Sequence, residues 1–143
     1  IGPEQPRAVI QGRSAKNAEP AGWRTAECGG KGMEVASVQP GEIDVIVLTT
    51  ATPDRLLPAT AVDIQAELGA TRAAAFDIGA ACAGWLYAMT VAEGLILSGT
   101  AETALLVGAA KMSAIVDWKA RATFVPFCDG AGAVLLQRSQ PDK

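Results

Sequence analysis

The pattern of apolar and polar positions divides the chain near residue 40. Ahead of that point Pro3, Pro6 and Pro20 and the glycines at 2, 12, 22, 29, 30 and 32 interrupt each candidate helix or strand, so residues 1–40 are expected to be irregular. Order begins after the turn signal Pro40-Gly41-Glu42. Ile43 to Leu48 is β-branched and apolar except for Asp44, the pattern of a buried strand. Thr49 to Pro58 is a polar loop holding two prolines. Ala61, Ile64 and Leu68 then recur at helical spacing, with Thr60 placed to cap the helix, Asp63 in its first turn and Gly69 as its stop. Ala73 to Ile78 predicts a short strand. Cys82 to Ser98 predicts a helix of several turns that is apolar around its circumference, with Glu93 its single charge. Such a helix must be covered on all sides. Thr103 to Val107 predicts another buried strand, and Ala110 to Cys128 a loop with short helical or strand pieces. Asp129-Gly130-Ala131-Gly132 reads as a tight turn, and Ala133 to Leu136 as the last strand.

Strands alternating with helices predict an α/β unit with a mostly parallel sheet over residues 41–143, because parallel strands need crossover helices. One sheet cannot enclose the second helix, so a further layer is expected over it. A membrane span over Ala80 to Ser98 is disfavoured by Glu93, the glycines, the lack of basic flanks and the position between two strands. Half of the 143 residues are hydrophobic and the formal charge is only -3, without a basic stripe, so a globular protein without a nucleic-acid surface is expected. The first residues, Ile1-Gly2-Pro3-Glu4, lack an initiator Met and the start of a signal peptide, and both ends read as cuts through a longer protein.

Three cysteines, Cys28, Cys82 and Cys128, without a paired spacing and without any histidine, disfavour a disulfide framework or a metal site and suit a reducing, cytoplasmic compartment. Ala80-Ala81-Cys82-Ala83-Gly84-Trp85 falls where a strand ends and a helix begins. Ligands collect at the carboxyl ends of parallel strands, and the positive end of a helix dipole favours an anion such as a thiolate. Small neighbours leave room for an acyl group, and backbone N–H groups of such a turn can face an oxyanion. Cys82 is therefore either a nucleophile or a buried structural thiol. Asp129-Gly130-Ala131-Gly132 is a poor dinucleotide fingerprint, since it precedes a strand rather than a helix. Asp77 and Asp129 suit structural hydrogen bonding better than general-base work, and Arg121 with Lys111 and Lys119 is either a phosphate contact or a solvated basic loop.

Four blocks in order carry a resemblance: Thr49-Thr50-Ala51-Thr52-Pro53-Asp54-Arg55-Leu56-Leu57-Pro58, Ala75-Phe76-Asp77-Ile78-Gly79-Ala80-Ala81-Cys82-Ala83-Gly84-Trp85-Leu86-Tyr87-Ala88, Ile115-Val116-Asp117-Trp118 and Asp129-Gly130-Ala131-Gly132-Ala133. With them the chain resembles β-ketoacyl-acyl-carrier-protein synthase III from about Ile43 to Leu136. The resemblance implies the N-terminal half of a layered αβαβα thiolase-like fold, with the Cys82 helix central between two sheets. It implies an acyltransferase in which Cys82 takes an acyl group from acyl-coenzyme A and condenses it with malonyl-acyl-carrier protein to start fatty-acid synthesis. It also implies a homodimer, acyl-coenzyme A as substrate with no further cofactor, Arg121 at the coenzyme A adenine, Leu57 reaching into the partner's acyl pocket, and Phe127 and Met112 at pocket positions. The family's catalytic His and Asn belong to its second half, so this chain alone is expected to be inactive. Gly29, Gly30 and Gly32 fall where the family has a helix, a departure that a disturbed reading frame ahead of Met33 would produce. Two other readings are a non-catalytic relative serving as a structural half and a polyketide-type condensing enzyme. A cysteine hydrolase with Cys82-Ala83-Gly84 as a nucleophile elbow ranks last, because Ala80 replaces the elbow's first glycine and no histidine is present.

Overall fold

The structure is a computed structural model that describes residues 7–14, 21–117 and 129–139. Among the described residues five strands, β1 (Arg7–Ser14), β2 (Val45–Thr50), β3 (Ala74–Ile78), β4 (Thr103–Ala110) and β5 (Gly130–Gln137), form one sheet in the order β1-β5-β4-β2-β3. Three α-helices of the described residues, α1 (Ala21–Ala36), α2 (Thr60–Leu68) and α3 (Gly84–Leu97), cover it. The expected parallel core is present, since β2 pairs in parallel with both β3 and β4. β5 extends it antiparallel to β4, and β1 runs antiparallel to β5.

Alternation along the strands sends side chains to two cores. Ile46, Leu48, Leu105, Val107 and Leu135 face α1 and α2, where Ala26, Cys28, Met33, Ala61 and Ile64 complete the cluster. Val45, Val47, Leu106, Val134 and Leu136 face α3 and meet Ala88, Ala92 and Ile96. The described residues thus form three layers, two helices on one face of the sheet and one on the other.

Several expectations are corrected. Residues 1–40 are not irregular throughout, for they contain β1 and α1. Gly29 of α1 is a packing residue: a Cβ there would lie 3.2 Å from both Leu105 and Leu68, whereas one on Gly30 would make an ordinary contact with Leu68 at 3.7 Å. The small size of Gly29 lets α1 approach α2 and the sheet, and that contact outweighs the weak helix propensity of glycine. Thr60 does not cap α2. It is the first helical residue, and the cap comes from Asp77, whose carboxylate accepts the Thr60 and Ala61 N–H groups at 2.9 and 2.8 Å. Gly69 does end α2, at φ +71°, where a side chain would be strained. The glycines at 130 and 132 belong to β5 rather than to a tight turn, because their register against Ala110 and Gly108 of β4 continues the ladder.

The helix expected from Cys82 begins at Gly84, after a 3-10 turn over Ala81–Ala83. Its expected complete burial is met on one side. Leu86, Tyr87, Val91 and Leu97 are exposed in this chain, Leu86 at 67%. No helix among the described residues is long and apolar enough to cross a membrane.

Candidate active site

Strand direction brings the candidate residues to one edge. β2, β3 and β4 all end there, and antiparallel β5 starts there, so the loops bearing Leu57, Cys82 and Met112 leave the same carboxyl edge of the sheet. Leu57 follows β2 and is 85% exposed. Met112 opens a 3-10 turn after β4 and is half-buried. Arg121, Phe127 and Cys128 lie outside the described residues.

Cys82 occupies the turn between β3 and α3 and is exposed, in contrast to Cys28, which is 1% exposed and donates to the Ala131 carbonyl at 3.7 Å. The exposure removes the reading of Cys82 as a buried structural thiol within this chain. Ala81 stands at φ +45°, in the left-handed region that costs an L-residue about 1–2 kcal/mol. The residue in that conformation directly precedes Cys82 in the turn that links β3 to α3. The turn is closed by Ala83 N–H donating to Ala80 O at 3.1 Å and by Gly84 N–H donating to Ala81 O. Those two donors therefore serve the turn rather than an oxyanion.

The surrounding loops are tied to each other by polar pairs whose partners sequence reading did not identify. Thr52 Oγ1 accepts the Lys111 N–H at 2.8 Å, linking the loops after β2 and β4. Asp129, buried at the start of β5, accepts the Ser113 N–H at 2.7 Å and its hydroxyl at 2.6 Å. Asp77 and Asp129 are thus structural hydrogen-bond acceptors, as their strand-end positions suggest. The partners lie 16 to 59 residues apart in sequence, so spacing alone carried no signal for these pairs.

The three layers, with an exposed cysteine on a strand-to-helix turn, match part of the thiolase-like fold of solved condensing enzymes. Among solved structures, 3-oxoacyl-[acyl-carrier-protein] synthase III from Aquifex aeolicus superposes with a TM-score of 0.86 at 41% identity, over 92% of this chain and 43% of that one. The priming β-ketosynthase of the R1128 polyketide pathway gives a TM-score of 0.82 at 26% identity, over 97% of this chain and 52% of that one. The family model described as 3-oxoacyl-[acyl-carrier-protein (ACP)] synthase III matches residues 76–143. β-Ketoacyl-[acyl-carrier-protein] synthase III of Rhodospirillum centenum is 52% identical over 105 residues, covering 73% of this chain and 32% of that protein. The chain belongs to the β-ketoacyl-acyl-carrier-protein synthase III family, and it spans about a third of the length of the curated relatives it matches.

Proposed function

We propose that Cys82 accepts the acyl group of an acyl-coenzyme A and holds it for condensation with malonyl-acyl-carrier protein, the reaction that starts fatty-acid synthesis. The observation that supports this most directly is the exposed Cys82 on a strained turn at the carboxyl edge of the sheet. In the first step the Cys82 sulfur attacks the thioester carbonyl, the bond from that carbon to the coenzyme A sulfur breaks, and coenzyme A leaves as the thiol with the proton. In the second, the malonyl group loses carbon dioxide, and the resulting carbanion attacks the Cys82 thioester. The Cys82 sulfur is the leaving group and is reprotonated. This chain has no histidine, so side-chain imidazole donors to the enolate oxygen come from outside it. Removing one such preorganised donor costs roughly 100- to 1000-fold in rate, so the chain alone is expected to exchange acyl groups slowly and to show no condensation.

In this reading Arg121 meets the coenzyme A adenine, Leu57 projects into the acyl pocket of the second subunit of a homodimer, and Met112 and Phe127 line the pocket. The exposure of Leu57 and the placing of Met112 at the Cys82 edge support those roles. Acyl-coenzyme A is a substrate, no resident cofactor is required, and the protein works in the cytoplasm.

Incubation with radiolabelled acetyl-coenzyme A, digestion and peptide mapping test the reading. Label is expected on the Cys82 peptide and absent from a Cys82→Ser variant. Label on Cys28 or Cys128 instead defeats it. In the assembled enzyme, Arg121→Ala is expected to raise KM for acyl-coenzyme A more than it alters the carrier-protein step, and an unchanged KM removes that assignment. The likeness to a polyketide priming ketosynthase supports a second reading with a different starter acyl group. Competition among acyl-coenzyme A primers for Cys82 separates the two.

A further inference from the structure

We propose that Gly108 is a positioning residue for Cys82, an inference that rests on the reading of Cys82 as acyl acceptor. Gly108 lies on β4 opposite Thr49 of β2, on the face that α3 covers. A Cβ at Gly108 would stand 3.2 Å from Cε3 and 3.4 Å from Cζ3 of Trp85, and 3.4 Å from Thr49 Oγ1. Trp85 is the second residue of α3. Its neighbour Gly84 is seated on the same threonine, since a Cβ there would lie 3.4 Å from Thr49 Cβ and 3.7 Å from the Ile78 carbonyl oxygen.

Two missing side chains therefore set the height of the first turn of α3 above the sheet. Gly84 lets the backbone rest on Thr49, and Gly108 leaves the space into which the indole drops. Cys82 cannot stay behind if that turn moves. The bonds Ala83 N–H to Ala80 O and Gly84 N–H to Ala81 O join it to the helix start. An indole is rigid, and Trp85 packs against the cluster of Val45, Val47 and Leu106. It cannot yield to a methyl group as the free end of a leucine can. A methyl at Gly108 would lift the start of α3 and shift the thiol, and reacting groups held a fraction of an ångström out of place lose much of their advantage. Gly41, ahead of β2 at the opposite end of the sheet from Cys82, has nothing within 4 Å of its would-be Cβ and supplies the control.

The test compares, in the assembled enzyme, the parent with Gly108→Ala, Gly108→Ala/Trp85→Leu and Gly41→Ala. Acetyl transfer from acetyl-coenzyme A and alkylation by iodoacetamide are followed at Cys82. Alkylation of buried Cys28 reports whether the fold is intact. Gly108→Ala is expected to slow acetyl transfer to Cys82 roughly tenfold with Cys28 still protected. Trp85→Leu in the same chain should restore most of that loss, and Gly41→Ala should change nothing. An unaltered rate in Gly108→Ala overturns the proposal, as does a loss that appears only with exposure of Cys28 or that Trp85→Leu leaves in place. If the parent itself takes no acetyl group at Cys82, the acyl-acceptor reading has failed. The proposal is then decided by alkylation alone: the same order of variants sustains the positioning role, and equal rates end it.

Discussion

Asp77 is the next-to-last residue of β3, yet its carboxylate holds the start of α2 by accepting two N–H groups from residues 16 and 17 positions earlier. A helix N-terminus has unpaired donors, and an anion there is favoured by the helix dipole as well as by the bonds themselves. At the other end of the sheet Asp44 holds the start of strand β4 in a similar way but with no helix dipole, accepting the Glu102 and Thr103 N–H groups at 2.8 and 3.0 Å. Asp77→Ala is expected to lower stability by roughly 1–2 kcal/mol, the ordinary cost of a lost cap, while Asp77→Asn recovers part of it through one amide oxygen. Urea denaturation of the assembled enzyme, parent and variants, reads this directly, and identical midpoints for all three would show that the cap contributes nothing. That a strand-end aspartate makes structural hydrogen bonds was legible in the sequence. Its partner was not, because Thr60 looked competent to cap its own helix and only the fold brings Asp77 to that site.

Helix α1 places three glycines within four residues, and they do not share one role. Gly29 faces Leu68 and Leu105 at close range, whereas a Cβ at Gly32 would meet nothing within 4 Å. Alanine at Gly32 should therefore gain the helix propensity of the added methyl, about 1 kcal/mol, with no steric cost. Valine at Gly29 should instead lose roughly 1–3 kcal/mol by overpacking α1 against α2 and β4. Opposite shifts in the denaturation midpoint of the assembled enzyme are the expected outcome, and equal shifts would contradict the packing account. Lys31 on the exposed side of the same helix bonds Glu27 at 2.7 Å, and that hydrogen bond raises its pKa. Because the pair is exposed, it adds little to the stability of α1.

At the scale of the molecule the deciding feature is the open side of α3. Leu86, Tyr87, Val91 and Leu97 face solvent there, beside Glu93. Burying a large apolar side chain is worth roughly 1.5–3 kcal/mol, so several left in water amount to a large part of the 5–15 kcal/mol that holds a domain together. The chain on its own is expected to bind an apolar dye such as ANS and to melt without a sharp cooperative transition. A cooperative melt of a soluble, dye-free monomer would show that α3 needs no cover.

The sequence by itself determined the alternation of strands and helices from residue 41 onward, the face of α2 that is buried, its stop at Gly69 and the turn that carries Cys82. These features are local, because periodicity of apolar residues and the conformational demands of glycine act within a few residues. The resemblance carried by the Cys82 block, likewise a property of contiguous residues, led to the right family. Tertiary structure alone decided the order β1-β5-β4-β2-β3, the antiparallel course of β5 and β1, and the formation of α1 despite its glycines. It also decided that Asp77 caps α2 and that Gly108 seats Trp85. Each of these depends on contacts between residues far apart in sequence, where the gain from close packing and paired backbone groups exceeds what local propensity would choose.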